Sequence, residues 1–482
     1  MKKYSCYIRF QLSRLTVMTT ALMLVALFGC TMAPRYTKPD APVPAEWPRG
    51  SAYKEDSIKS KGGSYADVSW QEFFSDNKLQ KLIFLSLENN RDLRIAALNV
   101  EKSQAQYQIQ RADLLPTINA SGGELAQRIP KSISSTGATM TIHQYNVGLG
   151  FSAYELDLFG RIRSLKDEAL EQFFATEEAK RSVQISLIAE VASNYLTLAA
   201  DKEHLKIARE TLESQLISYN LIKSRFEAGA SSELDLRQAQ TSVESARVDT
   251  ARFITLVAQD ENALALVTGS QVPQELLPPD LISIPEFKDL RAGLPSEVLQ
   301  RRPDIIQAEH LLKAANANIG AARAAFFPRI TLTTTIGLSS NQLSDLFRGE
   351  NRAWSFAPQI TLPIFDAGRN LANLKVSEVD RKIFLAKYEK TIQTAFREVA
   401  DALAQRGTID DQMNAQKSLT DAAAITYHLS DSRYNNGVSS YLDVLDSQRS
   451  LYNAQQGLVS VRLARLINLV TLYKALGGGL NE

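Results

Sequence analysis

The chain has 482 residues, with 54 Lys and Arg against 53 Asp and Glu, and two cysteines. That length suits two or three ordinary domains or one elongated one. A balance this close to neutral offers no basic surface for nucleic acid, which needs clustered cations against phosphate. Cys6 and Cys30 alone cannot build a disulfide framework.

Residues 1–29 carry Lys2, Lys3, Arg9 and Arg14, no acid, and an apolar run from Leu15 to Phe28. At about 14 residues that run falls short of the ~20 that a membrane-spanning helix needs, so it predicts a signal peptide. It ends Leu27-Phe28-Gly29-Cys30-Thr31, which resembles a bacterial lipobox. Cys30 is then expected to be diacylated and to become the new N-terminus; Phe28 departs from the small or β-branched residue usual at its position. A plain signal peptide with a chance cysteine is the other reading. Without the leader, 50 basic residues face 53 acidic ones, a net of −3. Residues 30–75 are expected to form an extended tether, because Pro34, Pro39, Pro42, Pro44 and Pro48 interrupt any periodicity.

From there the sequence repeats itself at a constant offset of 208 residues. Gly160-Arg161 matches Gly368-Arg369, Glu190-Val191-Ala192 matches Glu398-Val399-Ala400, Gly229 matches Gly437, and Gly269 matches Gly477. A fixed offset over more than a hundred residues is an internal duplication. The copies are 76–270 and 296–477, joined by a Pro-rich linker at 271–295 and followed by a tail at 478–482. Each reads as a helix, a β-hairpin and two long helices joined at a tight Gly turn, Gly229 or Gly437.

The first helix, 76–113, opens with Leu79, Leu82, Ile83, Leu85 and Leu87 and stops at Leu115-Pro116, since Pro disfavours helix in the residue before it. Its counterpart runs from about Ser296 to Phe327-Pro328, with Pro303 in its first turns. Strand-like alternation follows. Tyr145, Val147, Leu149 and Phe151 alternate with Asn146, Gly148, Gly150 and Ser152, and the phase slips near Ala153-Tyr154. Ile330, Leu332, Ile336 and Leu338 alternate with Thr and Gly, and a further run spans Trp354 to Ile364. The run after Pro116 is the least patterned. A half-buried soluble sheet would give the same period. The small neutral polar positions, the strand lengths and the lipoprotein leader favour a lipid-facing barrel. Two hairpins per chain make four strands, whereas the smallest membrane barrels need about eight, so the chain must oligomerise. Three copies supply twelve strands.

From Gly160-Arg161 to Phe226 the pattern is helical for about 66 residues, ~100 Å at ~1.5 Å each. Val191, Leu198, Leu205, Leu212, Tyr219 and Phe226 recur at steps of seven, the spacing of coiled-coil packing. Val444, Leu451, Leu458 and Leu472 keep that spacing in the return helix, with Arg465 interrupting it. No segment after the leader reads as a transmembrane helix, since Leu463 to Leu476 contains Arg465, Asn468 and Lys474. A crossing of the membrane must therefore be made by strands. Gly477-Gly478-Gly479 reads as a helix terminator. Neither a phosphate loop nor a nucleophile triad is visible, and His143, His204, His310 and His428 lack metal-ligand spacing, so an enzyme is not expected.

Leu156-Asp157-Leu158-Phe159-Gly160-Arg161, Leu362-Pro363-Ile364-Phe365-Asp366-Ala367-Gly368-Arg369, Gln300-Arg301-Arg302-Pro303-Asp304 and the doubled Gly…Leu-Asp turn together resemble the outer membrane factor (TolC-like) family. The likeness is to its OprM-type lipoprotein branch and covers nearly the whole mature chain. It implies an α+β membrane protein: a homotrimer with a 12-stranded outer-membrane β-barrel continued by a long α-helical coiled-coil tunnel into the periplasm. It also implies a passive multidrug efflux duct docked on a periplasmic membrane fusion (adaptor) protein and, through it, an inner-membrane RND-type transporter. No cofactor is expected beyond the covalent lipid on Cys30. A type I protein-secretion duct of the same fold and a non-conducting periplasmic coiled-coil scaffold are the alternatives.

The resemblance places a channel gate at Leu442, Asp443, Asp446 and Arg449, and a latch at Asp235 and Tyr434, expected to share a hydrogen bond. Where the family's latch has a threonine and an arginine, this chain has Leu234 and Ser439. Asp443 and Asp446 are three residues apart and share a helix face, so a threefold axis would gather their charges into a cation-selective ring. First-turn acids are also what any helix dipole favours.

Overall fold

The computed structural model describes residues 31–53, 68–288 and 301–478. The leader, Cys30, the expected helix start at Ser296 and the last four residues lie outside that range. The main elements are α1 (Trp70–Phe73), α2 (Asn77–Asn89), α3 (Arg91–Ala112), β1 (Asn119–Ile129), β2 (Met140–Leu156), α4 (Arg161–Glu227) and α5 (Glu233–Thr268). They continue with α6 (Pro303–Ala324), β3 (Arg329–Ser340), β4 (Arg352–Thr361), α7 (Arg369–Asn435) and α8 (Tyr441–Ala475). The duplication is carried into three dimensions: α4 and α7 have 67 residues each, and α5 and α8 have 36 and 35.

Two compact units divide the chain. The first comprises residues 31–39, Val100–Thr176 and Ala308–Tyr388 and holds the sheet. The strand order is β1-β2-β3-β4, all antiparallel, so each repeat contributes one hairpin and the hairpins meet at β2–β3. The poorly patterned β1 still pairs with β2 along its full length, from Asn119↔Gly150 to Ile129↔Met140. The phase slip is a bulge: the register shifts between Phe151 and Tyr154, Ala153 takes φ 54°, and its N–H donates to Thr333 Oγ1 at 3.1 Å. β4 ends at Thr361 rather than Ile364, opposite Arg329, the first residue of β3. At the β2–β3 seam the backbones approach so closely that a Cβ on Gly337 would overlap the Val147 carbonyl.

The second unit comprises Asp40–Asn99, Glu177–Gln307 and Glu389–Glu482 and contains the main core. Val191 and Leu198, the first heptad positions of α4, are fully buried there. An 18-residue window of α4 is apolar enough to cross a membrane, but 61% of it is buried within the protein, as in a core helix. The expected tether is in part a packed strap. Trp47 is 4% exposed and stacks on Phe396 at 4.9 Å, and Phe73 stacks on Tyr473 at 4.5 Å. The linker packs likewise: Leu277, Leu281, Ile284 and Phe287 are buried, and Lys288 N–H donates to the Phe73 carbonyl.

The single helix expected over 76–113 is broken at Asn90. The Asn90 side chain accepts from Leu93 N–H, capping α3, and donates to the Val267 carbonyl, which also receives Ser86 Oγ. Arg302 ties the start of α6 into the unit. Its guanidinium, almost fully buried, binds Asp304, Glu398 and the Ala475 carbonyl. α8 ends in a Schellman motif: Gly478 N–H bonds the Tyr473 carbonyl and Gly477 N–H the Lys474 carbonyl.

Asp260 on α5 faces Asp201 on α4, and two carboxyls can share a hydrogen bond only while one keeps its proton. Burial, with the Asp201 charge, pushes Asp260 up to about 7. A folded-state value above the ordinary 3.8 means the folded protein holds a proton that the unfolded chain has released. This contribution to stability is complete below about pH 4 and is lost as pH rises through 7.

Three outcomes are expected. Trp47→Ala lowers unfolding free energy by about 3–5 kcal/mol in chemical denaturation. Gly337→Ala disrupts the β2–β3 seam and exposes the sheet to protease, whereas Gly123→Ala, where a Cβ meets nothing within 4 Å, does not. Denaturation midpoints of the native protein fall between pH 4 and 8, and Asp260→Asn flattens that slope.

Candidate functional site: the helical hairpin turns

The two turns between long helices are built alike, in the second unit. At the first, Gly229 N–H bonds the Phe226 carbonyl and Ala230 N–H the Arg225 carbonyl. At the second, Gly437 N–H bonds the Tyr434 carbonyl and Val438 N–H the Arg433 carbonyl. Both are Schellman motifs, and the two glycines take φ 74° and 73°, a region that side chains oppose. Each return helix then opens with a capping box, Ser232 with Asp235 and Ser440 with Asp443. A helix stop and a helix start with five residues between them force the chain to reverse sharply.

The capping boxes decide what two of the expected site residues do. Asp443 accepts from Ser440 N–H at 3.2 Å, and its own N–H donates to Ser440 Oγ. Asp235 accepts from Ser231 Oγ, Ser232 Oγ and Ser232 N–H. Among the described residues it makes no hydrogen bond to Tyr434, so the expected latch pair is not formed within the chain. The Tyr434 ring instead lies under the Arg225 guanidinium at 5.2 Å and against the Tyr441 ring at 5.5 Å. Arg433 holds the turn by donating to Ser439 Oγ at 2.8 Å, which gives that serine a local role.

The first two turns of α8 have two faces. Tyr441, Val444 and Leu445 are buried in a cluster with Ile222 and Ala239, flanked by Tyr219, Leu236, Tyr427 and Tyr434. Ser447 and Gln448 are also buried. Leu442, Asp443, Asp446 and Arg449 are all exposed. The four expected gate residues are therefore gathered on one surface. Asp446 and Arg449, though one turn apart, have no side-chain partner among the described residues.

The sequence reading missed Tyr441. It is 5% exposed, and its hydroxyl has no hydrogen-bond partner among the described residues. Burial pushes that hydroxyl above its ordinary value, with Tyr434, Tyr427 and Asp235 acting in the same direction. A signal was present, since Tyr427, Tyr434 and Tyr441 are spaced by seven. An unpaired hydroxyl in an otherwise apolar contact between hairpins is costly, and it weakens this cluster relative to an all-hydrocarbon one.

The histidines do not gather. His143 pairs with Glu124 at 2.8 Å, His310 with Glu171 at 2.6 Å, and His204 stacks on Phe253. Among the described residues no group of three His, Cys, Asp or Glu is placed to hold a metal.

The family described as Outer membrane efflux protein matches residues 82–270 and 294–478. The probable efflux pump outer membrane protein TtgC of Pseudomonas putida is 49% identical over 467 residues, covering 97% of this chain and 96% of that protein. The outer membrane protein OprJ of Pseudomonas aeruginosa is 43% identical, covering 96% and 95%. The crystal structure of the open state of the Neisseria gonorrhoeae MtrE outer membrane channel superposes with a TM-score of 0.83 at 40% identity, covering 94% of this chain and 99% of that one. The chain belongs to the outer membrane efflux protein family and is an outer-membrane channel protein, with four strands that form part of a transmembrane barrel and a duplicated pair of long helices.

Proposed function

We propose that the protein is the passive exit duct of a tripartite multidrug efflux pump, working as a homotrimer. The sheet carries this reading. Its outer strands, β1 and β4, each leave an edge unpaired within the chain. Unpaired backbone groups are not tolerated in hydrocarbon, and four strands cannot close on themselves. Three copies joined β4 to β1 give the smallest symmetric closure above eight strands. The lipid on Cys30 would add an anchor in the outer membrane.

Conduction is governed at the hairpin turns. On a threefold axis the exposed face of α8 would present three copies each of Asp443 and Asp446 to one constriction, favouring cations and opposing close approach of the helices. Leu442 supplies an apolar collar, and Arg449 sits one turn farther along. Tyr434 and Asp235 act in this reading as a tip latch, Tyr434 through its contacts with Arg225 and Tyr441. Opening parts the α7–α8 hairpin from the α4–α5 hairpin across the tyrosine cluster. A periplasmic adaptor and an inner-membrane RND-type transporter supply the driving force. The duct performs no chemistry, and substrate choice rests with the transporter.

In planar bilayers, Asp443→Asn with Asp446→Asn should raise single-channel conductance and lower cation preference, because the charges are lost while the shape is kept. Asp446→Asn alone should give most of the change in selectivity, since Asp443 is partly committed to its cap. Unchanged conductance and selectivity in the double variant would contradict the gate.

A further inference from the structure

Residues opposite each other on an antiparallel pair point to the same face. The register therefore puts Tyr145, Val147 and Leu149 of β2 on one face with Leu338 and Ile336 of β3 and Trp354 of β4. This apolar face is the one that a barrel turns to lipid. On β2 it runs from Tyr145 to Leu156, opposite ten steps of β3 from Ser340 to Ile330. At ~3.4 Å per residue and ~40° of tilt that is about 26 Å, close to the ~25 Å height of a lipid-facing band.

Charge enters this face at one end of the sheet. Arg128 of β1 lies opposite Thr141, and Arg352 of β4 lies opposite Leu338, so both guanidiniums belong to the lipid side. Arg352 is the first residue of β4 and Arg128 the last but one of β1, so both stand where strands enter the loops 130–139 and 341–351. The helices leave the strands at the other end and run into the periplasm, which puts the loop end in the outer leaflet. Trp354, 78% exposed, is the next residue of that face below Arg352, as expected of an aromatic at a membrane surface.

The acids at this end are mostly committed. Glu124 pairs with His143 at 2.8 Å, and Asp345 with Arg348 at 3.1 Å. Arg128, Lys131 and Arg352 have no side-chain partner among the described residues, and Glu350 alone stands against them. The rim is positive. Below it, β1 shows the lipid side only small apolar positions, Ala126, Gly122 and Ala120, apart from the paired Glu124, whereas β4 shows Trp354, Phe356 and Ile360. With β4 of one copy beside β1 of the next, an aromatic ridge would flank a shallow trough, and Arg352 would stand near the neighbouring copy's Arg128. Two guanidiniums brought together call for an anion, and phosphate takes both in forked hydrogen bonds.

We infer that this seam binds the phosphorylated headgroup of an outer-leaflet lipid, its phosphate between Arg352 of one copy and Arg128 of the next and its acyl chains along the trough. Lys131 reaches the headgroup from the β1–β2 loop. The inference rests on closure of the barrel by copies joined β4 to β1.

The test titrates the full-length protein in detergent with bisphosphorylated lipid A, followed by native mass spectrometry, which counts chains and lipids in the same particle. One lipid per seam is expected. Arg128→Gln with Arg352→Gln should weaken binding about tenfold or more, since two charge-assisted contacts are lost. Arg348→Gln, whose charge is already held by Asp345, should not. Lipid A stripped of its phosphates should bind the unaltered protein no better than the double variant binds the intact lipid, a comparison that does not depend on how a variant folds. A three-chain particle in which the double variant retains lipid A like the unaltered protein would overturn the inference and leave the closure standing. Equal retention of the stripped lipid, or displacement of lipid A by an equal concentration of inorganic phosphate, would overturn it too. A particle of any other chain number would remove the closure, and the seam site with it.

Discussion

Backbone hydrogen bonding at the two ends of a four-stranded sheet is the constraint from which the rest follows. Within the chain β2 and β3 are paired on both sides, while β1 and β4 are paired on one. In water such edges would be solvated. In a bilayer each orphan N–H or C=O costs several kcal/mol, so the edges must find partners on other copies. The glycines at the β2–β3 seam, which let two repeats approach closely, and the bulge at Ala153, which redirects β2, serve the same closure.

The duplication explains how one motif performs two tasks. Both hairpins use a glycine in the left-handed region and a Ser–Asp capping box, and in both the acid's first duty is to hold a helix start. Beyond the cap the copies diverge. The second presents Leu442, Asp446 and Arg449 on an exposed face and buries Tyr441 against the first hairpin. The local turn is thus common to both repeats, and the exposed face proposed as the gate belongs to one. The contact between hairpins is made largely of tyrosines, and the Tyr441 hydroxyl has no partner among the described residues, which weakens it relative to an all-hydrocarbon contact.

Much of this was legible in the residues. The offset of 208 gave the repeats, the glycines gave both turns, and the alternating runs gave three strands with the slip at Ala153. What was not legible depends on residues distant in sequence. Pro spacing suggested a loose tether, yet Trp47 is fixed by Phe396. Helical periodicity ran through Asn90, but its side chain has better partners in Leu93 N–H and the Val267 carbonyl than in a continued helix. The Asp235–Tyr434 hydrogen bond failed because Ser231 and Ser232, adjacent in sequence, take the carboxylate first.

The account stands on closure of the barrel by identical copies. Native mass spectrometry of the purified protein in detergent measures this directly. Three chains per particle is the result the account predicts, since three copies of four strands close a twelve-stranded barrel. A monomer or dimer with intact secondary structure would contradict it, because neither supplies the twelve strands on which the duct depends.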